Sequence, residues 1–177
     1  KSFKLNDTET KKKSKKELKM EIKLNNISYK YEESSKQILN NINLTIRKGQ
    51  SIAFVGPTGA GKSTLIDIIT GLLVPDKGNI MIDNDNIENC NENWQENIGY
   101  VPQSTFIIDD SLMNNIAFGI PKELIDEEAV KNAINLANLE TFVKNLPYGL
   151  NTILGESGAR ISGGEKQRIA IARALYK

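Results

Sequence analysis

Gly56-Pro57-Thr58-Gly59-Ala60-Gly61-Lys62-Ser63 narrows what this chain can fold into more than any other stretch. A short apolar run, Ser51–Val55, leads straight into it, and a helical pattern follows from about Ser63 to Leu72. Strand, glycine-rich loop and helix in that order satisfy the Walker A pattern. The glycines let the backbone wrap a phosphate chain, where a side chain would collide with it or forbid the needed dihedrals. Successive N–H groups then point inward, and the start of the following helix adds positive potential. Lys62 supplies a full charge for the β and γ phosphates, the Ser63 hydroxyl suits Mg²⁺, and Thr64 offers a donor to the α-phosphate. Nucleotide binding by residues 56–64 is the expectation; the loop alone does not say which kind of nucleotide-driven protein this is.

The rest of the chain supplies a setting for that loop. Ile22, Leu24 and Ile27, then Tyr29 and Tyr31, alternate with polar residues, and after a polar turn at Glu32–Lys36 so do Ile38, Leu39, Ile42, Leu44 and Ile46. Two antiparallel strands, each with one wet face, are expected. Pro75–Gly78 closes the helix after the loop, and Asn79–Asp83 reads as another strand. Beyond Gln103 the texture turns helical: Ser111 opens a short stretch, and Asp126 caps one whose Val130, Ala133, Ile134 and Ala137 share a face. Leu139–Leu146 continues helical until Pro147, and Gly164–Tyr176 carries Ile169, Ala172 and Leu175 or Tyr176 at helical spacing. The pattern is an α/β or α+β domain with an inserted helical part.

A length of 177 residues, 39% of them hydrophobic, is enough for one globular domain, placed over residues 21–177. Residues 1–20 are polar, with eight Lys against Asp7, Glu9 and Glu17, and read as a basic linker, although the whole chain carries a formal charge of only +1. Cys90 is the single cysteine, which excludes an internal disulfide and fits a reducing compartment. No apolar run is long enough to cross a membrane. The chain begins at Lys1 rather than Met, with no signal-peptide pattern, and reads as the middle of something longer.

A second motif, Ile161-Ser162-Gly163-Gly164-Glu165-Lys166-Gln167-Arg168, leads into Ile169-Ala170-Ile171-Ala172-Arg173-Ala174-Leu175. A hydroxyl and two glycines at a helix start make another anion-binding site, distant in sequence from the first. One nucleotide does not need two such cradles from a single chain. The stretch closely resembles the signature motif of ATP-binding cassettes, commonly worded LSGGQ, from which it departs at Ile161 and Glu165. The resemblance implies an ABC-type ATPase of P-loop NTPase fold, with an antiparallel β subdomain and an inserted α-helical subdomain. It also implies ATP and Mg²⁺ as cofactors, and a second nucleotide-binding domain as head-to-tail partner. Ser162, Gly163, Gly164 and Glu165 would then face the ATP held by the partner's Walker A loop.

Weaker matches follow in order. Tyr31 falls where the family places an aromatic that stacks on adenine, with Tyr29 the competing position. Gln103, in Tyr100-Val101-Pro102-Gln103, resembles the Q-loop glutamine, whose amide oxygen would complete the Mg²⁺ shell beside Ser63. Tyr148–Gly158 and Asn114–Gly119 are similar to exporter-type domains, with Glu156 in a loop that would touch a transmembrane partner. Asp109-Asp110-Ser111 is similar in wording to flippases of lipid-linked sugars and related exporters. Trp94 and Cys90 read as structural.

The resemblance also implies parts not found in this sequence. After the signature helix the family continues into a Walker B strand, a catalytic Glu and a switch histidine, whereas this chain ends at Lys177 and contains no His. Ser51–Val55 would thereby lose a central neighbour in its sheet, so the isolated chain is expected to be poorly stable and inactive as an ATPase. The intact parent is expected to hydrolyse ATP at the cytoplasmic face of a membrane, joined to a transmembrane domain and driving export of an unidentified substrate. Two other readings are a soluble ABC-type ATPase of DNA repair or chromosome maintenance and a module that binds ATP without turnover. The first is disfavoured because Lys62 and Ser162 are 100 positions apart with no heptad run between them.

Overall fold

The alternation of Ile22 and Leu24 is that of a strand with one buried face, and β1 (Glu21–Tyr29) is the inner strand against which the sheet is built. The sheet is four-stranded, ordered β2-β1-β3-β4, with β2 (Leu39–Arg47), β3 (Lys77–Ile82) and the two-residue β4 (Asp85–Asn86) all antiparallel to their neighbours. Leu24 stands opposite Leu44 on one side and Ile80 on the other. Strict period two would turn Ile27 away from the core. Instead the register shifts between Leu24 and Ile27, Asn26 takes a φ of 54°, and Ile27 returns to the buried face with no exposed surface. An extra residue at a bulge resets the phase of a strand in this way, and asparagine tolerates the left-handed conformation it needs. Gly78, at φ +89°, passes so close that a Cβ there would lie 2.3 Å from the Asn25 carbonyl oxygen, which leaves no residue but glycine.

In this computed structural model, residues 18–32, 36–89, 94–155 and 161–176 are described, and the chain divides into two compact units, residues 1–98 and 99–177. In the first, α1 (Lys62–Ile69) buries Leu65 and Ile68 in one cluster with Ile22, Leu24, Ile27, Leu39, Ile80 and Ile82. Trp94 joins that cluster and donates its indole N–H to the Ile69 carbonyl at 3.0 Å, which agrees with a structural reading of Trp94. Cys90 and residues 1–17 of the basic linker lie outside the described residues. The Asp83 carboxylate accepts the backbone N–H groups of Lys19, Met20 and Glu21 at 2.9, 2.7 and 3.0 Å, so the chain is clipped to the sheet as β1 begins.

Three expectations are corrected. Ser51–Val55 belongs to no sheet among the described residues, and Val55 is 94% exposed. An apolar run is only half of a strand; without a neighbour to complete the hydrogen-bond ladder it remains extended chain. Strand β1 ends at Tyr29, leaving Tyr31 beyond it, and α1 stops at Ile69, short of Leu72, in a turn closed by Gly71 at φ +73°.

The second unit is helical. Its elements are α2 (Leu112–Ile116), α3 (Glu127–Leu136), α4 (Glu140–Lys144) and α5 (Gly163–Tyr176). Ser111 caps α2 through the Asn114 N–H, and Asp126 caps α3 through those of Glu128 and Ala129, as the sequence predicts. Val130, Ala133, Ile134 and Ala137 are all buried, in a core shared with Ile107, Leu112, Ile116, Leu139, Leu154, Ile169 and Ala172. Leu175, by contrast, is 48% exposed, and the Tyr176 hydroxyl accepts the Asp126 N–H at 3.1 Å.

One polar residue is sealed inside this core. Asn115 has no exposed surface; its amide donates to the carbonyls of Ile108, Asp110 and Ser111 and accepts the Ile108 N–H at 3.0 Å. Buried amides are tolerated when their hydrogen bonds are met, and removing one strands every partner. Asn115→Ala is expected to destabilise the helical unit by about 2–3 kcal/mol, read as faster hydrogen exchange at the Ile108 amide. In the first unit, Gly61 enters α1 at φ +85°, where a Cβ would lie 2.9 Å from Leu39 Cδ2 and 3.0 Å from Ile38 Cγ2. Gly61→Ala is expected to cost about 1–2 kcal/mol from the dihedral alone, seen as a lowered unfolding midpoint.

Candidate functional site

The phosphate loop is built on a helix that starts without a side-chain cap. Gly61 is the N-cap of α1 and, having no side chain, leaves the first-turn N–H groups uncapped from that position. Gly59 and Gly61 both take left-handed backbone, and the Ala60 N–H closes a turn on the Pro57 carbonyl at 3.2 Å. Residues Gly56, Pro57, Thr58, Gly59 and Ala60 are exposed. The Lys62 ammonium folds back over the loop and donates to the Gly56 and Pro57 carbonyls at 2.9 and 2.7 Å. Positive charge, exposed loop amides and an uncapped helix start thus converge on one surface, and their chemistry fits a phosphate chain. Ser63 is exposed beside Lys62, whereas Thr64 is buried with only 6% of its surface open.

The Thr64 side chain is engaged in a way its assigned role does not include. Its hydroxyl lies 3.2 Å from that of Tyr31. This contact ties Tyr31 to α1 although the residue lies past the end of β1. The Tyr31 ring meets Tyr29 edge-on, with centroids 5.1 Å apart. Both rings, with Glu32 and Leu73, line a cavity of about 480 Å³. Tyr29 packs against the apolar cluster beneath the sheet, while Tyr31 is 44% exposed. Burial, and secondarily the neighbouring Tyr31, Asp76 and Glu32, push the Tyr29 phenol above its ordinary range.

Gln103, Ser162, Gly163, Gly164 and Glu165 belong to the second unit. Gln103 is exposed in a bend. Three residues on, the Phe106 carbonyl accepts from Arg173 Nη1 at 3.1 Å, and the Asn115 carbonyl accepts from Arg173 Nε at 2.8 Å. The guanidinium also lies 4.7 Å from the Phe118 ring centroid, and its burial pushes its pKa below the usual arginine range. Arg173 therefore fastens the segment after Gln103 to α5, the helix that begins at the signature motif. Spacing on α5 did not single out this residue, because a helical wheel cannot show which backbone carbonyls a side chain will find. Asp110 is held below the ordinary carboxylate range, first by the Asn114 side chain and then by the Ser111 N–H.

At the signature motif, Ser162, Gly163 and Gly164 are exposed, and a Cβ on either glycine would meet nothing within 4 Å. Ser162 caps α5: its hydroxyl accepts the Glu165 N–H at 3.3 Å and donates to Glu165 Oε2 at 2.8 Å. The Ser162 N–H donates to the same carboxylate oxygen at 2.7 Å. This is a reciprocal capping box, and Ser-x-x-Glu is its sequence signature. Reading Glu165 only as a variant of the usual glutamine passes over it. Glu156 lies outside the described residues, and the Tyr148–Gly158 stretch is described only as far as Gly155. Among the described residues no helix is long and apolar enough to cross a membrane, and no three His, Cys, Asp or Glu side chains cluster as metal ligands would.

Comparison with known proteins agrees with these motifs. The family model described as ABC transporter matches residues 39–177. The chain is 40% identical over 158 residues to ABC transporter B family member 29, chloroplastic, of Arabidopsis thaliana, covering 89% of this chain and 25% of that protein. It is 42% identical over 157 residues to the ATP-dependent lipid A-core flippase 2 of Colwellia psychrerythraea, covering 88% and 27%. The leukotoxin translocation ATP-binding protein LktB of Mannheimia haemolytica is 41% identical over 160 residues, covering 90% and 22%. Among solved structures, a bacterial Atm1-family ABC exporter with ATP bound superposes with a TM-score of 0.80 at 34% identity, covering 89% of this chain and 27% of that one. The chain thus spans about a quarter of the length of its relatives. The family model spans residues 39–177 and the fold is that of an ABC ATPase, so the chain belongs to the ABC transporter family.

Proposed function

We propose that this chain is the ATP-binding part of an ABC exporter, which holds Mg-ATP at residues 56–64 and closes over a second ATP through Ser162–Glu165. The observation that carries this reading is the presence of two glycine-bearing helix starts in one chain, one led by Gly61 and the other by Ser162, each of a kind suited to an anion. The exporter assignment draws on relatives whose names describe a flippase, a toxin translocation protein and an exporter.

In this reading Lys62 leaves the Gly56 and Pro57 carbonyls to hold the β and γ phosphates, while the loop amides and the start of α1 take the remaining charge. Tyr31 offers its exposed face to adenine, with Tyr29 behind it. Ser63 would supply a neutral oxygen suited to a hard divalent cation. Mg²⁺, when bound, neutralises charge between the β and γ phosphates. Ser162 and the Gly163 and Gly164 amides contribute donors to the nucleotide of a partner domain, so that ATP favours a head-to-tail pair and hydrolysis releases it. A transmembrane domain of the same transporter would receive that motion, with this domain on the cytoplasmic face of the membrane. No nucleic acid is involved. The Walker B carboxylates, expected from a neighbouring strand, would complete the hydrolytic centre.

Lys62→Ala in the full-length protein is expected to weaken ATP binding roughly 100-fold by removing a charge-assisted contact, measured by titration with a fluorescent nucleotide. Unchanged affinity would overturn the assignment of residues 56–64. Tyr31→Ala is expected to weaken binding roughly tenfold, as the loss of one stacked ring does, and Tyr29→Ala distinctly less. The reverse order would move the adenine contact to Tyr29.

A further inference from the structure

Ser162, the first of the donors that the proposed function gives to a partner's nucleotide, is already in use. Ser162 has one hydroxyl proton and one amide proton, and both are directed at the same Glu165 carboxylate oxygen, at 2.8 and 2.7 Å. The motif therefore holds an anion, and the anion is its own. An incoming phosphate oxygen needs the same hydroxyl proton, and it brings more negative charge to within the first turn of α5, where Glu165 stands.

We infer that Glu165 is an internal competitor for the γ-phosphate and sets how much ATP is needed to close the domain pair. The inference rests on reading Ser162–Glu165 as the contact for a second domain's nucleotide. Two effects act in the same direction. Hydrogen bonds to a carboxylate are stronger than those to a neutral amide, so displacing Glu165 costs more than displacing a glutamine at that position would. The displaced carboxylate then stays close to a phosphate of like sign. Among the described residues, nothing lies within 4 Å of where a Cβ on Gly163 or Gly164 would stand, so the described surroundings leave both glycines open. Competition at Ser162, rather than access, is what holds the closed state back.

A glutamine at 165 could still complete the box, since its amide oxygen accepts from the same donors. If Glu165 serves only as a helix cap, Glu165→Gln weakens the cap slightly and leaves closure unchanged or poorer. If it competes, the same change improves closure, so the sign of the effect separates the two roles.

The test uses the full-length protein carrying a spectroscopic distance label on each nucleotide-binding domain, titrated with a non-hydrolysable ATP analogue and Mg²⁺. Glu165→Gln is expected to lower the half-closing concentration by about fivefold per site, the difference between a charged and a neutral acceptor. The gain is expected to shrink as salt rises from 50 mM to 500 mM, because like-charge repulsion is screened. Glu165→Asp, whose shorter side chain reaches back less well to Ser162, is expected to fall between the two in cap strength while keeping the charge. Ser162→Ala serves as the control and should abolish closure with or without the Glu165→Gln change. An unchanged or raised half-closing concentration in Glu165→Gln, with Ser162→Ala still inactive, overturns the competition. Closure that survives Ser162→Ala overturns the reading of the signature motif, and the inference falls with it.

Discussion

Burial of Leu65 and Ile68 against the antiparallel sheet is the contact on which the phosphate loop depends. A glycine-rich loop has no rigidity of its own; its amides converge only if both of its ends are held. Helix α1 holds one end, because its apolar residues share a cluster with Ile22, Leu24, Ile27 and Ile80. The approach is close enough that Leu39 and Ile38 press on the space where a Gly61 side chain would stand. The same packing brings Thr64 to the Tyr31 hydroxyl. One helix face therefore orients both the phosphate end and the base end of the proposed nucleotide site.

The two candidate helix starts solve the same electrostatic problem in opposite ways. Helix α1 begins at a glycine with no side chain to satisfy its amides, so its positive end is left for a ligand, with Lys62 as a local counter-presence on the loop carbonyls. Helix α5 begins at a serine that takes a carboxylate from its own first turn. In the proposed reading, an open start suits a resident ligand, and a self-satisfied start suits a contact that forms and breaks, since an anion that leaves is replaced by one already tethered. The difference is one side chain at the cap and one three residues on: Gly61 and Thr64 in α1, Ser162 and Glu165 in α5.

How much of this was legible in the sequence depends on whether the signal was local. The caps at Ser111 and Asp126 and the buried face of Val130, Ala133 and Ile134 are local, and each is where its spacing places it. The bulge at Asn26 is not, because Asn only permits left-handed backbone and the need to bring Ile27 back to the core arises from the sheet. Ser51–Val55 has the composition of a strand, yet strand formation also requires a neighbour, which composition cannot supply. The glycine-rich loop and the Ser162-Gly163-Gly164 helix start stand out as motifs because each is written in consecutive residues. The Tyr31–Thr64 contact does not, since it depends on where the end of β1 passes over α1.

Asp83 gives the fold a mechanical property. Its carboxylate gathers three consecutive backbone amides, from Lys19 to Glu21, at the point where the chain enters β1. A pull arriving along the residues before Lys19 would meet these three bonds before it could begin to peel β1 from β2 and β3. Bonds to a charged carboxylate are stronger than the neutral amide–carbonyl bonds of the ladder behind them. The strand that anchors the whole sheet is thus protected by a strain relief at its entry, and tension from that side would be passed to the sheet as a body rather than spent in unravelling it.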